Sequence, residues 1–159
     1  MAELDELIER LELVEQRLAE HAAGPTPDGL TEPDEGGDER WEAAQVWAHM
    51  AEFVGYWQSE LEKVVDHYQG SPVSFGRTKD DPDRSSAIEI GRQVPVGVLM
   101  DRVHDGIEVV RRYLPALAPA QWSAVGLHSR LGEMGVGAIV ERFQLKHLEE
   151  HANQLDGLT

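Results

Sequence analysis

The chain has 159 residues, 30 acidic against 14 basic side chains, a formal charge of −16 and no cysteine. Such a length suits a single domain, expected over residues 1–159, with a real core, and the acidity opposes the basic stripe that nucleic acid requires. The missing cysteine removes disulfides, thiolate ligands and a cysteine nucleophile, so any thiol chemistry must draw its sulfur from a small molecule.

Residues 2–22 place Leu4, Leu7 or Ile8, Leu11, Val14 and Leu18 at helical spacing, which predicts a first amphipathic helix. Gly24-Pro-Thr-Pro-Asp-Gly stops it, and an acidic, Gly/Pro-punctuated loop is expected to run to Asp38. A second helix is expected over about 42–68, with Ala43, Val46, Trp47, Met50, Phe53, Val54, Trp57, Leu61, Val64 and Val65 on a wide apolar face. Residues 71–93 show neither helical nor strand periodicity and read as a long crossover loop, a type of segment often used for function. Pro95 suits the first turn of a third helix to about Tyr113, with Val98, Leu99, Val103, Ile107 and Val110 inward. Pro115 and Pro119 break that pattern, and Pro119-Ala-Gln-Trp opens a short helical turn. A turn-rich connection over 128–135 then leads to a fourth helix over about 136–155. Four helical patterns with no convincing strand predict an all-α four-helix bundle with long crossover connections, a fold that builds sites from side chains on facing helices.

No apolar run approaches the ~18 residues that span a bilayer, and the acidic N-terminus does not read as a signal peptide. The expectation is a soluble cytoplasmic protein that takes a small-molecule substrate and engages neither membrane nor nucleic acid. A homodimer through a spare apolar helix face is also expected.

His147 and His151 stand four residues apart in the last helix, on a face shared with Val140, Phe143, Gln144, Gln154 and Leu155. Side chains at i and i+4 stack one turn above the other, so both rings can address one point. The alternative is a half-buried histidine plus one at the C-terminal turn, where a cation suits the helix dipole. His49 lies mid-helix between Val46 and Phe53 and also faces inward; alone, it would be a core histidine bonded to a backbone carbonyl. Three inward imidazoles each need a partner, and one metal ion serves all three.

These residues carry a resemblance. Trp41 eight residues before His49, an acid at Glu52, and His147-x-x-x-His151 followed by Gln154-Leu155 resemble the DinB/YfiT-like family over nearly the whole chain. The resemblance implies a three-histidine site, His49, His147 and His151, for a divalent metal, usually nickel or zinc. It also implies an enzyme, since characterised branches include maleylpyruvate isomerase and S-transferases that use glutathione, mycothiol or bacillithiol.

Three neutral imidazoles leave coordination positions open and suit zinc, nickel, copper or iron rather than calcium or magnesium. A metal so held lowers the pKa of a bound water or thiol and polarises a carbonyl. Glu52, one turn from His49, would orient that ring or act as a base, against the plain alternative of a solvated acid. Gln144, one turn before His147, would bond a ligand ring or a metal-bound water. Glu150 reads as a surface residue, and Tyr56 as pocket lining or plain core. Arg77, Lys79 and Arg84 would clamp an anionic substrate, but Asp80, Asp81 and Asp83 interleave with them and favour local salt bridges. His21, His67 and His104 are expected near the surface, His128 near a pocket mouth, and the four tryptophans in the core.

The leading functional expectation is therefore a metal-dependent transferase or isomerase using a low-molecular-weight thiol. Metal-dependent hydrolysis is the alternative within enzymes. A non-catalytic metal-binding or dimerising bundle, closed by a fourth protein ligand, is the alternative outside them, with a metal buffer or sensor behind it.

Overall fold

The first apolar stripe closes as the spacing demands: Leu7, Leu11, Val14 and Leu18 are all buried on a helix α1 (Ala2–Ala23). The structure, a computed structural model, describes residues 2–33 and 37–158. The chain is irregular over 24–33, and residues 34–36 of the expected acidic loop lie outside the described residues. Helix α2 (Ala43–His67) opens with the Gln45 side chain accepting the Glu42 N–H at 3.0 Å, which satisfies an otherwise orphaned donor.

Residues 71–93 are not a loop throughout. They contain strand β1 (Val73–Phe75) and helix α3 (Pro82–Gly91), whose start is set by Pro82 and by the Asp81 carboxylate accepting the Asp83 N–H. Gly91 brings α3 onto α2 so closely that a Cβ there would sit 2.8 Å from Cβ of Ala48. Helix α4 (Val96–Ala116) runs past Pro115, which stands in its last turn. A short α5 (Pro119–Trp122) follows, then strands β2 (Val125–His128) and β3 (Gly132–Gly135) where only turns were expected. β1 pairs parallel with β2, Phe75 opposite His128, and β2 pairs antiparallel with β3. Three- and four-residue strands are too short to show alternation, and β1 finds its partner only across some fifty residues of chain.

The last helix is continuous but not uniform. It begins as α6 (Val136–Ile139), passes through a π-helical segment (Val140–Leu145), and resumes as α7 (Lys146–Gly157). Four helices surround the core: α1 packs on α4, α4 on α2, α2 on the last helix, and the last helix back on α1. This is the expected four-helix bundle, with the small sheet and α3 packed against α2 as its addition. Arg10 of α1 clips the bundle shut, meeting Glu141 at 2.7 Å in the π segment and Glu149 at 2.5 Å in α7. Among the described residues no helix is long and apolar enough to cross a membrane.

Candidate metal centre

Helices α2 and α7 bring His49, His147 and His151 together: one ring nitrogen from each lies within 4.8 Å of the others. The ring centroids are 4.8 to 5.1 Å apart. His49 and His151 are buried, while His147 is partly so. Aromatic walls hold the rings. Phe53 stacks on His147 with centroids 3.8 Å apart, and Trp41 stacks on His151 and meets His49 edge-on.

The hydrogen bonds decide the tautomers. Nδ1 of His49 meets Glu52 Oε1 at 3.1 Å, Nδ1 of His147 meets the Phe143 carbonyl at 3.3 Å, and Nδ1 of His151 meets Gln154 Oε1 at 2.6 Å. All three partners are acceptors, so each ring donates through Nδ1 and, when neutral, carries its lone pair on Nε2. Yet Nε2 of His49 and Nε2 of His147 are only 3.3 Å apart. Two lone pairs at that distance repel unless a cation or proton lies between them. Burial opposes the proton: desolvation, followed by the charge of His151, holds both His49 and His147 well below the usual histidine range. The donor set therefore fits a divalent metal that prefers nitrogen, with each ring braced from behind. Among the described residues, no carboxylate or further histidine joins the group.

Glu52 lies at the edge of the cluster. Burial holds its carboxyl above the usual carboxylate range, and the Arg77 guanidinium, bonded to the same Oε1 that meets His49, offsets only part of that rise. Arg77 also covers the Tyr56 ring, 3.9 Å from its centroid. Gln144, buried in the π segment, donates through Nε2 to Gln58 Oε1 of α2 at 3.1 Å. Its Oε1 is buried and has no hydrogen-bond partner among the described residues.

The remaining candidates are dispersed. His21 pairs with Asp156 at 2.6 Å, His67 bonds the Lys63 carbonyl at 2.9 Å, and exposed His104 pairs with Glu15. His128 is buried, stacked on Phe143 and edge-on to Phe75. Its Nδ1 accepts the N–H groups of Arg130 and Leu131, the opposite tautomer to the cluster. Arg84 is buried and donates to the Lys79 carbonyl at 3.1 Å, and Glu150 is exposed. Sequence reasoning did not find the Arg77–Glu52 pair or the Phe143 carbonyl behind His147. The first joins residues 25 apart, and the second is backbone that no residue type reveals.

The fold has relatives. The crystal structure of a mycothiol-dependent maleylpyruvate isomerase superposes with a TM-score of 0.68 at 13% identity, covering 96% of this chain and 60% of that one. A histidine-to-alanine variant of that isomerase gives the same figures. An uncharacterized protein from Clostridium difficile 630 superposes with a TM-score of 0.69 at 11% identity, covering 97% of this chain and 94% of that one. This chain thus spans about three fifths of the isomerase's length. Among curated proteins none matches it by sequence. The sequence pattern of the DinB superfamily matches from residue 10 to residue 155, the interval that holds the helix-two histidine and the paired histidines alike, and the chain belongs to that superfamily.

Proposed function

We propose that this chain is a divalent-metal-dependent enzyme, with nickel or zinc held by His49, His147 and His151, that transfers or isomerises with a low-molecular-weight thiol as co-substrate. The observation that carries this reading is the 3.3 Å approach of two Nε2 atoms whose rings both donate through Nδ1. A cation between them would supply Lewis-acid polarisation and lower the pKa of a thiol brought to it.

The chain's own residues prepare that place. Glu52, the Phe143 carbonyl and Gln154 fix three ring orientations, and Phe53 and Trp41 limit ring movement and exclude water. Glu52, with one oxygen committed to His49 and Arg77, is a proton acceptor at the edge of the centre. We assign Gln144 to holding the π segment against α2 through Gln58 rather than to the chemistry. A group of three ligands with no fourth among the described residues supports an open, catalytic arrangement over a closed structural one. The thiol reading draws on the likeness in fold to a mycothiol-dependent isomerase and on a chain without cysteine. A cytoplasmic homodimer remains part of the proposal.

Elemental analysis of the purified protein and of His49→Ala tests the centre. Near-stoichiometric nickel or zinc in the first and loss in the second is the expected result, followed by thiol-dependent turnover in the loaded protein. No metal in either, even after reconstitution, returns the three histidines to an ordinary core and ends the enzyme reading.

A further inference from the structure

We propose that Arg77 is a positioning residue of the three-histidine centre, acting through Glu52 to hold the His49 ring. The inference rests on the metal reading above and adds to it a residue from the segment that follows β1.

A single oxygen of Glu52 serves both partners: Oε1 meets His49 Nδ1 at 3.1 Å and Arg77 Nη2 on its other side. A carboxylate behind a ligating imidazole fixes the ring's rotation and strengthens its donor nitrogen. The carboxylate itself turns easily about its last torsion, which has no sharp staggered minima. A planar guanidinium restrains it, and Arg77 is well placed to do so, with its side chain only 10% exposed.

Arg77 is in turn held by a ladder on α2. Glu52, Tyr56 and Glu60 stand at i, i+4 and i+8 and so share one helix face. The guanidinium lies 3.9 Å above the Tyr56 ring, a cation–π contact. The Tyr56 hydroxyl donates to Glu60 Oε1 at 3.1 Å, and that same oxygen accepts the Gly76 N–H at 2.8 Å. Gly76 has φ of +95°, a conformation natural to glycine, and the ring of His128 backs it. The chain leaving β1 is thereby pinned to α2 one residue before Arg77. Asp81, 3.8 Å from Nη1, adds a weaker tether. These contacts form one connected path from the sheet to a ligand ring. An ordinary surface ion pair would show neither the burial nor the backbone clip.

Cobalt(II) titration of the metal-free full chain, with chelator competition and the visible ligand-field spectrum, tests the role. Arg77→Met is expected to weaken cobalt binding about 10-fold and to shift the bands, within the range for removal of an outer-shell partner. Arg77→Lys should recover part of the affinity, because it keeps the charge while losing the planar fork and the stack. Glu52→Gln should weaken binding at least as much, and the double variant Glu52→Gln with Arg77→Met no further, because both act along one path. Wild-type affinity and spectrum in Arg77→Met would overturn the inference while leaving the metal centre intact. So would losses that multiply in the double variant. A wild-type chain that takes up no cobalt would overturn the metal reading and this inference together.

Discussion

Phe53 and His147 lie face to face, their ring centroids 3.8 Å apart and their planes within 8°. Phe53 is fully buried and is also 4.9 Å from His49, so one core side chain sets the spacing of two candidate ligands from opposite helices. Structural stability and ring placement therefore share a residue. Phe53→Ala should destabilise the metal-free protein by about 3–5 kcal/mol, the usual range for removing a buried phenyl group. Phe53→Leu should cost much less and yet still release the His147 ring. Guanidinium unfolding of both variants checks this, and equal losses would mean that the stacked ring, rather than the volume it fills, carries the stability.

Stability of the metal-free protein should fall in acid. Burial first, then neighbouring charge, depresses His49 and His147, whereas in the unfolded chain a histidine titrates near the ordinary value of about 6.5. Below that value, and down to the lower folded pKa, the unfolded chain binds more protons than the native one. The contribution is therefore fully present above about pH 6.5 and is lost as pH falls, by at most about 1.4 kcal/mol per pH unit for each histidine. Unfolding curves at pH 8, 6 and 5 for wild type and His49→Ala test the sign. The variant should show the shallower decline; identical slopes would remove His49 as a contributor.

Gly76→Ala should be costly for two reasons on one atom. The backbone there has φ of +95°, and the added Cβ would meet Cδ2 of the His128 ring at 2.8 Å. Left-handed backbone for a non-glycine residue costs on the order of 1–3 kcal/mol before any clash is counted. Thermal unfolding should show a clear fall in Tm, and an unchanged Tm would mean that the turn after β1 readjusts freely.

Two glycines on α4 should respond in opposite directions to alanine. At Gly106 a Cβ would lie 2.6 Å from Cγ2 and 2.9 Å from Cβ of Val54, so α4 and α2 would have to separate. Overpacking of about 1–3 kcal/mol outweighs the helix-propensity gain of roughly 1 kcal/mol. Gly97 has nothing within 4 Å of its would-be Cβ, so Gly97→Ala keeps the gain and should stabilise by about 0.4–1 kcal/mol. Denaturant midpoints of the two variants decide it, and a stabilised Gly106→Ala would contradict the close packing of these helices.

The four long helices and the inward direction of His49, His147 and His151 were legible because each depends on local periodicity. An apolar residue every third or fourth position states which face is buried, and i, i+4 spacing puts two side chains on it. Chemistry was legible to the same depth: seven histidines were sorted into three inward and four others from their neighbours alone, although His128, expected near a pocket mouth, is buried among aromatic rings. Gln144 shows what periodicity leaves open. Its spacing from His147 gives an inward direction, and it is buried, but the spacing does not give its partner, Gln58, which lies 86 residues earlier in the chain.

By itself, then, the sequence determined the elements whose signal lies within a few residues: the bundle helices, their buried faces apart from Val98, expected inward and found exposed in the first turn of α4, and the three histidines on them. Tertiary structure alone decided what joins distant positions. It paired Val73–Phe75 with Val125–His128, it brought Nε2 of His49 within 3.3 Å of Nε2 of His147, 98 residues away, and it laid Arg77 against Glu52. The physical reason is that hydrophobic patterning reports which way a side chain faces but not what it meets there. Contacts across the core depend on how helices cross and how strands register, which the folded chain settles as a whole.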